Sequence, residues 1–210
     1  MKKAIILANI FLFPLLILSA CAHSSYPVNK TLVHVESDNE SPYVSTDVYE
    51  NAKTIEATKF YKIVYSDHLF YYYIFNEDRD VVKYDGPLNK QPRISIEDDL
   101  VKFTLQAGTG LGTQWGFYYD IKSDTFSQIF QCIYDQCAGK VAYGGMNKVI
   151  VRDIFDEVQY YREISSFKEP FSPTVEPIAS VKFVNEGKSI EVTYLAGDNY
   201  KETVEIINLD

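Results

Sequence analysis

His68 is the side chain best suited to act as a general base, and it directly follows Asp67. A catalytic histidine needs a nucleophile within hydrogen-bond reach. The sequence has no Gly-x-Ser-x-Gly elbow that would supply a serine. We therefore interpret His68 as a turn or edge residue, and the sequence predicts no catalytic residue. Acidic residues are abundant, so a glycosidase-like pair of carboxylates remains open.

Two loops have compositions that suggest a bound ligand, but each lacks a necessary part. Gly108–Gly112 is glycine-rich, as phosphate-binding loops are. Such a loop needs a helix behind it and a nearby lysine, whereas β-type sequence follows at Trp115. Asn76–Asp80 has the alternating side-chain oxygens of a calcium loop, without the glycine and glutamate at the sixth and twelfth positions. The sequence therefore predicts neither a metal nor a cofactor.

The aromatic content is unusual, with 17 tyrosines among 210 residues. Adjacent residues of a strand point to opposite faces of the sheet, so one ring of each Tyr-Tyr pair can enter the core while the other faces outwards or into a groove. Outward tyrosines suit protein or sugar contacts. The predicted ligand surface consists of Trp115, Tyr118, Tyr119, Tyr72 and His68. Cross-strand aromatic pairs that only stabilise a sheet are the alternative.

The N-terminal stretch has the features of an export signal. Lys2 and Lys3 precede an apolar run of about 15 residues, which is shorter than the roughly 20 residues of a membrane-spanning helix. Leu18-Ser19-Ala20-Cys21 resembles the lipobox of bacterial prolipoproteins. The resemblance implies cleavage before Cys21 and lipidation of that cysteine, and more than one acyl chain anchors a protein firmly. An ordinary secretory signal with an incidental cysteine is the alternative.

The same resemblance implies a lipid-anchored protein of the cell envelope, with the membrane as a partner. Ala22 stands where inner-membrane lipoproteins of Gram-negative bacteria usually have aspartate, which favours the periplasmic face of the outer membrane in such a cell. Loss of Lys2 and Lys3 would change the net charge from −9 to −11. Phosphate backbones repel an acidic protein, so nucleic acid is not an expected partner.

With Cys21 assigned to lipid, Cys132 and Cys137 remain as a pair in an exported protein. Free cysteine pairs oxidise in such compartments, so we predict a disulfide between Cys132 and Cys137. The spacing of four intervening residues differs from the two of redox motifs. A zinc site would need two further ligands from a chain with three histidines. A redox pair and half of a metal site are the alternatives.

The chain divides into a signal peptide (1–20), a lipidated polar tether (21–57) and a single β-rich domain (58–210). The tether is too polar to bury much apolar surface. Thr31–Val35 within it could instead add an edge strand to the domain.

The domain consists of short β-branched and aromatic runs separated by Gly, Asn, Asp and Pro. Alternation is clear in Ser189–Tyr194, and no window longer than about 10 residues has a helical period. Short strands joined by tight turns predict an all-β fold, an antiparallel meander of about 10–12 short strands. A sandwich or barrel and a small propeller-like arrangement, with a rhythm of about 40 residues, both remain open.

The expected function is that of a cell-envelope lipoprotein with a non-enzymatic binding module for a protein or glycan partner. The acidic, tyrosine-rich domain motivates this expectation. An envelope hydrolase acting on glycan or peptide is one alternative, and a structural or assembly lipoprotein is another.

Overall fold

The computed structural model describes residues 52–109, 113–145, 147–156 and 159–209. The predicted signal peptide, Cys21, Ala22 and Thr31–Val35 lie outside the described residues. The described chain forms sixteen β-strands and no α-helix, which confirms the all-β prediction and exceeds the predicted strand count. In these ranges there is accordingly no helix with the length and hydropathy needed to cross a membrane.

The strands form four antiparallel sheets, each built from consecutive strands. Sheet 1 contains β1 (Lys53–Ala57), β2 (Tyr61–Ser66), β3 (Leu69–Phe75) and β4 (Val81–Leu88). Sheet 2 contains β5 (Arg93–Glu97), β6 (Leu100–Gln106), β7 (Gln114–Asp120) and β8 (Thr125–Phe126), and β9 (Phe130–Gln131) also pairs with β7. Sheet 3 contains β10 (Ile133–Cys137), β11 (Lys140–Gly145), β12 (Lys148–Asp153) and β13 (Tyr161–Ile164). Sheet 4 contains β14 (Ile178–Val184), β15 (Ser189–Ala196) and β16 (Lys201–Asn208).

The order of strands in each sheet is the order in the chain, and none of the sheets closes into a barrel. The barrel alternative is therefore wrong. Successive small meanders are the arrangement that the propeller-like alternative describes, because each blade of a propeller is a four-stranded sheet made from one continuous stretch of chain.

Three hydrophobic clusters join the sheets in chain order. The first joins sheets 1 and 2, where the rings of Tyr72 and Phe103 lie 4.4 Å apart between centroids. Another joins sheets 2 and 3 around Tyr118 and Val141. The last joins sheets 3 and 4 and includes Val151. Sheets 2 and 3 are thus covered on both faces, and this burial of apolar side chains is the main force that holds the sheets together.

The first strand lies inside the stretch that the sequence assigned to the tether. β1 pairs antiparallel with β2, with Thr54 opposite Val64. All its side chains are exposed, which fits the polar composition of an edge strand.

The predicted disulfide between Cys132 and Cys137 is wrong, because the two sulfur atoms are not at disulfide distance. The intervening residues form the extended strand β10 rather than a loop. Five residues of strand span roughly 16 Å, whereas the Cα atoms of a disulfide lie about 4.4–6.8 Å apart. The chain reverses only after Cys137, at Ala138 and Gly139, which have φ of 49° and 75°.

Candidate functional site

Three of the five residues predicted to form a ligand surface are completely buried. Tyr72, Tyr118 and Tyr119 are each 0 % exposed. Tyr119 faces sheet 1 and its hydroxyl donates a 2.7 Å hydrogen bond to Asp124, whereas Tyr118 faces sheet 3. Adjacent residues do point to opposite faces, as expected, but both faces of sheet 2 are covered. These tyrosines are therefore core residues.

The other two predicted surface residues lie in different parts of the molecule. Trp115 is half-buried on β7 and packs against Phe103, with 5.4 Å between ring centroids. His68 is exposed in the turn between β2 and β3, has φ of 66°, and places Nδ1 3.3 Å from the hydroxyl of Tyr65. The five residues do not form a common surface.

The described residues of the two loops that suggested ligand binding are held by hydrogen bonds within the protein, and residues 110–112 of the glycine-rich loop lie outside the described residues. The Asn76 side chain accepts a hydrogen bond from the Asp80 backbone at 2.9 Å across the β3–β4 turn. The backbone N–H of Gly108 donates to the Thr113 hydroxyl at 3.0 Å, and Lys90 donates to the Gly108 carbonyl at 3.0 Å. Within the four described ranges, no three His, Cys, Asp or Glu side chains come together in a way that could hold a metal.

A cavity of about 560 Å³ opens on the face of sheet 3 that is turned towards sheet 2. Its floor is formed by Tyr143 on β11 and by Ile150 and Arg152 on β12. The segment Gln128–Gln131, which leads into β9, provides a side wall, held in place where the ring of Phe130 packs on Tyr143 at 5.0 Å between centroids. Sequence reasoning did not identify this site.

The period-2 geometry of β12 decides which side chains reach the cavity. Val149 and Val151 point to the opposite face and are buried against sheet 4. Lys148, Ile150 and Arg152 therefore share the cavity face. Lys148 and Arg152 are four residues apart, on the strand face opposite to Val149 and Val151, and this even spacing is the sequence signal that could have pointed to this face.

The charged side chains that line the cavity are cationic among the described residues. Arg152 is only 7 % exposed, and arginine at this degree of burial normally has polar partners. Lys148 lies at the rim, with Nζ 3.1 Å from a carboxylate oxygen of Glu163. Gln128, Gln131 and Asn147 add neutral donors and acceptors. The arrangement presents a buried guanidinium, an ion-paired lysine and hydrogen-bonding amides in one pocket of a protein of net charge −9.

Two glycines at the end of β11 line the cavity. A Cβ on Gly144, which has φ of 150°, would lie 2.5 Å from the Lys148 carbonyl oxygen. A Cβ on Gly145 would meet no atom within 4 Å, and strand alternation directs it to the same face as Tyr143. The position of Gly145 is thus empty space at the cavity wall.

A second polar group lies between sheets 2 and 3, around Tyr118 and Lys102. Burial raises the pKa of the Tyr118 phenol, and Glu97 and Asp135 raise it further. Burial lowers the pKa of Lys102, and the same two carboxylates oppose that change. Asp135 also accepts a 2.7 Å hydrogen bond from the Phe183 backbone, which links sheet 3 to sheet 4. These contacts link sheets 2, 3 and 4.

No protein-family model matches the chain, and no curated protein sequence matches it. Among solved structures, the chain is similar to one described as "Crystal Structure of Mitotic Checkpoint Complex", with 9 % identity and a TM-score of 0.36. The match covers 88 % of this chain and 59 % of that chain. At this level of similarity the neighbour provides no argument about function.

Proposed function

We propose that the protein is a lipid-anchored cell-envelope protein whose β domain is a non-enzymatic binding module. Its binding site is the cavity on sheet 3, and its ligand is a carboxylate-bearing unit of an acidic glycan. The observation that carries the proposal is the cavity of about 560 Å³ in which Arg152 is buried and the charged lining is cationic.

The chemistry of the lining supports an acidic sugar as ligand. An arginine guanidinium recognises a carboxylate with two parallel hydrogen bonds, and burial strengthens such contacts. The amides of Gln128, Gln131 and Asn147 suit hydroxyl groups, since each amide both donates and accepts. Tyr143 and Ile150 provide apolar surface for the ring carbons. The volume lies within the range of small-molecule sites, about 300–1,000 Å³.

The same lining favours binding over hydrolysis. Glycosidases use two carboxyl groups about 5–10 Å apart on either side of the bond that breaks. Glu163 is the carboxylate placed at the cavity rim, and it is held by Lys148 at 3.1 Å and by the Tyr161 hydroxyl at 3.3 Å. The proposal therefore assigns no catalytic residue to the cavity.

The binding proposal can be tested by calorimetric titration of the full-length protein in detergent with matched oligosaccharides. One member of each pair has a free uronic carboxylate, and the other has the same carboxylate as a methyl ester. We expect the free acid to bind at least tenfold more tightly, and Arg152→Gln to remove that difference. Arg93→Gln, on an exposed arginine of β5, is the matched control and should bind as the wild type does.

Equal binding of acid and ester, or unchanged binding by Arg152→Gln, would contradict the proposal. Binding of acidic peptides in place of the oligosaccharides would replace the glycan by a protein partner. If Arg152→Gln does not fold, Gly145→Val provides a second variant, because the added side chain enters open space in the cavity and meets no protein atom at its Cβ.

The anchoring part of the proposal is supported by the sequence Leu18–Cys21 and needs a separate test. Inhibition of lipoprotein signal peptidase should leave a larger, membrane-associated precursor. Normal maturation under inhibition would exclude lipidation at Cys21, and it would leave the binding proposal untouched.

A further inference from the structure

The surface around the cavity continues onto β13, the last strand of sheet 3. Residues directly opposite each other in an antiparallel pair point to the same face of the sheet. In the register of β12 and β13, Arg152 is opposite Tyr161. Ile150 is opposite Glu163 in the same register. Tyr161 and Glu163 therefore lie on the cavity face, and the salt bridge from Lys148 to Glu163 agrees with this placement.

Tyr161 is the aromatic side chain that this surface presents to solvent. It is 56 % exposed, whereas Tyr143 on the cavity floor is half-buried and packs on Phe130. In the described strand order β13 is the edge of sheet 3, so the side of Tyr161 away from β12 borders no further strand of that sheet. Its hydroxyl donates a hydrogen bond to Glu163 at 3.3 Å, which positions the ring. A positioned, exposed tyrosine offers a large amphipathic contact area at low entropic cost.

The distance between the cavity and Tyr161 suits two adjoining units of a sugar chain. Neighbouring strands lie about 4.8 Å apart, which is close to the length that one pyranose unit adds to a glycan. A carboxylate sugar held at Arg152 on β12 therefore has its neighbour over Tyr161 on β13. The apolar ring carbons of that neighbour can stack on the phenol ring.

Glu163 determines which charge the neighbouring unit can have. Its carboxylate lies 3.1 Å from the Lys148 ammonium group, so these two charges offset each other. The Tyr161 hydroxyl lies 3.3 Å from the same carboxylate. A second sugar carboxylate placed over Tyr161 would thus approach a like charge without a cation left over to bind it. The position over Tyr161 favours a neutral sugar.

We propose that Tyr161 forms a second sugar subsite, and that the ligand is a glycan in which a uronic acid is linked to a neutral sugar. The inference rests on the proposed function, because it requires a carboxylate unit at Arg152. It goes further by naming the adjoining unit and the residues that select it. Arg152 selects the acid, Tyr161 contacts the neutral ring, and Glu163 disfavours a second acid. Glycans that alternate acidic and neutral units fit this surface better than a chain of uronic acids alone.

Calorimetric titration of the full-length protein in detergent with three probes tests the second subsite. The probes are methyl glucuronide, a glucuronyl-glucose disaccharide and a diglucuronate, the last two as methyl glycosides. We expect the mixed disaccharide to bind at least fivefold more tightly than methyl glucuronide, and the diglucuronate to gain less than twofold. Methyl glucuronide and its methyl ester are titrated in parallel, and they report on the carboxylate site alone.

Two variants of Tyr161 separate stacking from hydrogen bonding. Tyr161→Ala should remove the gain, so that the variant binds the mixed disaccharide no more tightly than methyl glucuronide. Tyr161→Phe keeps the ring and should keep the gain. The matched control is Tyr200→Ala, which removes a tyrosine that is 50 % exposed in the turn before β16 and should also keep it. Glu163→Gln should bring the affinity for the diglucuronate within twofold of that for the mixed disaccharide.

The outcomes distinguish the second subsite from the proposed function. If methyl glucuronide binds better than its ester but the mixed disaccharide gains nothing, or keeps its gain in Tyr161→Ala, the second subsite is wrong and the carboxylate site stands. Equal binding of acid and ester by the wild type would contradict the proposed function, and the second subsite with it. Tighter binding of the diglucuronate than of the mixed disaccharide, or unchanged discrimination in Glu163→Gln, would overturn the selection of a neutral neighbour.

Discussion

Tyr118 and Tyr119 are adjacent, both are 0 % exposed, and they differ in what their hydroxyl groups contact. The Tyr118 hydroxyl has no hydrogen-bond partner among the described residues. The Tyr119 hydroxyl donates to the Asp124 carboxylate at 2.7 Å. Replacing each tyrosine by phenylalanine removes one oxygen from the same strand, and the two variants serve as each other's control.

The expected free energies differ in sign. A buried hydroxyl without a partner costs about 1–3 kcal/mol, so Tyr118→Phe should raise the free energy of unfolding by about 1 kcal/mol. A hydrogen bond to a charged acceptor contributes about 1.5–3 kcal/mol. Asp124 is exposed and its charge is screened by water, so Tyr119→Phe should lower the free energy of unfolding by about 1 kcal/mol. The two variants should therefore differ by about 2 kcal/mol.

Urea unfolding followed by tryptophan fluorescence measures this difference, because Trp115 lies on the same strand. For a domain of this size, about 2 kcal/mol also corresponds to a difference in Tm of about 4–8 °C. Equal destabilisation by both substitutions would refute the reasoning. It would show that the Tyr118 hydroxyl has a partner in solution, such as a buried water molecule, and that the interface between sheets 2 and 3 is not dry at this point.

Three further outcomes follow from the same structure. Gly144→Ala should destabilise the domain by about 2 kcal/mol or more, because the residue has φ of 150° and its new Cβ would lie 2.5 Å from a backbone oxygen. Gly145→Ala is the control and should change Tm by less than about 2 °C in the same thermal scan. Cys132 and Cys137 should both be alkylated in urea without any reductant, and resistance of the two to alkylation would contradict the absence of a disulfide. In the folded protein Cys132 should react more slowly, because it is buried and burial raises its pKa. Burial and the hydrogen bond to Glu56 raise the pKa of Tyr61 to about 12. Folding stability should therefore fall as pH rises from about 10 to 12, because the tyrosine of the unfolded state ionises first. Ultraviolet absorbance measures the midpoint of tyrosinate formation, and equal midpoints in native and urea-unfolded protein would contradict this.

The local pattern of the sequence was sufficient for the fold class. Buried and half-buried residues alternate in β15 from Ile190 to Tyr194, as the sequence predicts, and Ser189 at the strand start is buried as well. Tight turns between short strands predicted antiparallel pairing, and the pairs described in all four sheets are antiparallel. These features depend on neighbours a few residues apart, so they can be derived from the chain alone.

The exposure of a given side chain could not be derived in this way. The sequence placed Tyr118 and Tyr119 on opposite faces of one strand, which is correct, but it could not show that sheet 3 covers the second face. The same reasoning failed for Cys132 and Cys137. Whether the residues between them form a turn or an extended strand depends on their pairing with β11, which lies beyond the local window.

The existence of the cavity likewise depends on tertiary structure. The sequence determined that Lys148, Ile150 and Arg152 share one face of a strand, because side chains in a strand alternate. Only the stacking of sheets 2 and 3, with Gln128–Gln131 at the side, encloses that face and buries the arginine. Alternation is a property of neighbouring residues, whereas enclosure is a property of segments that are distant in the chain.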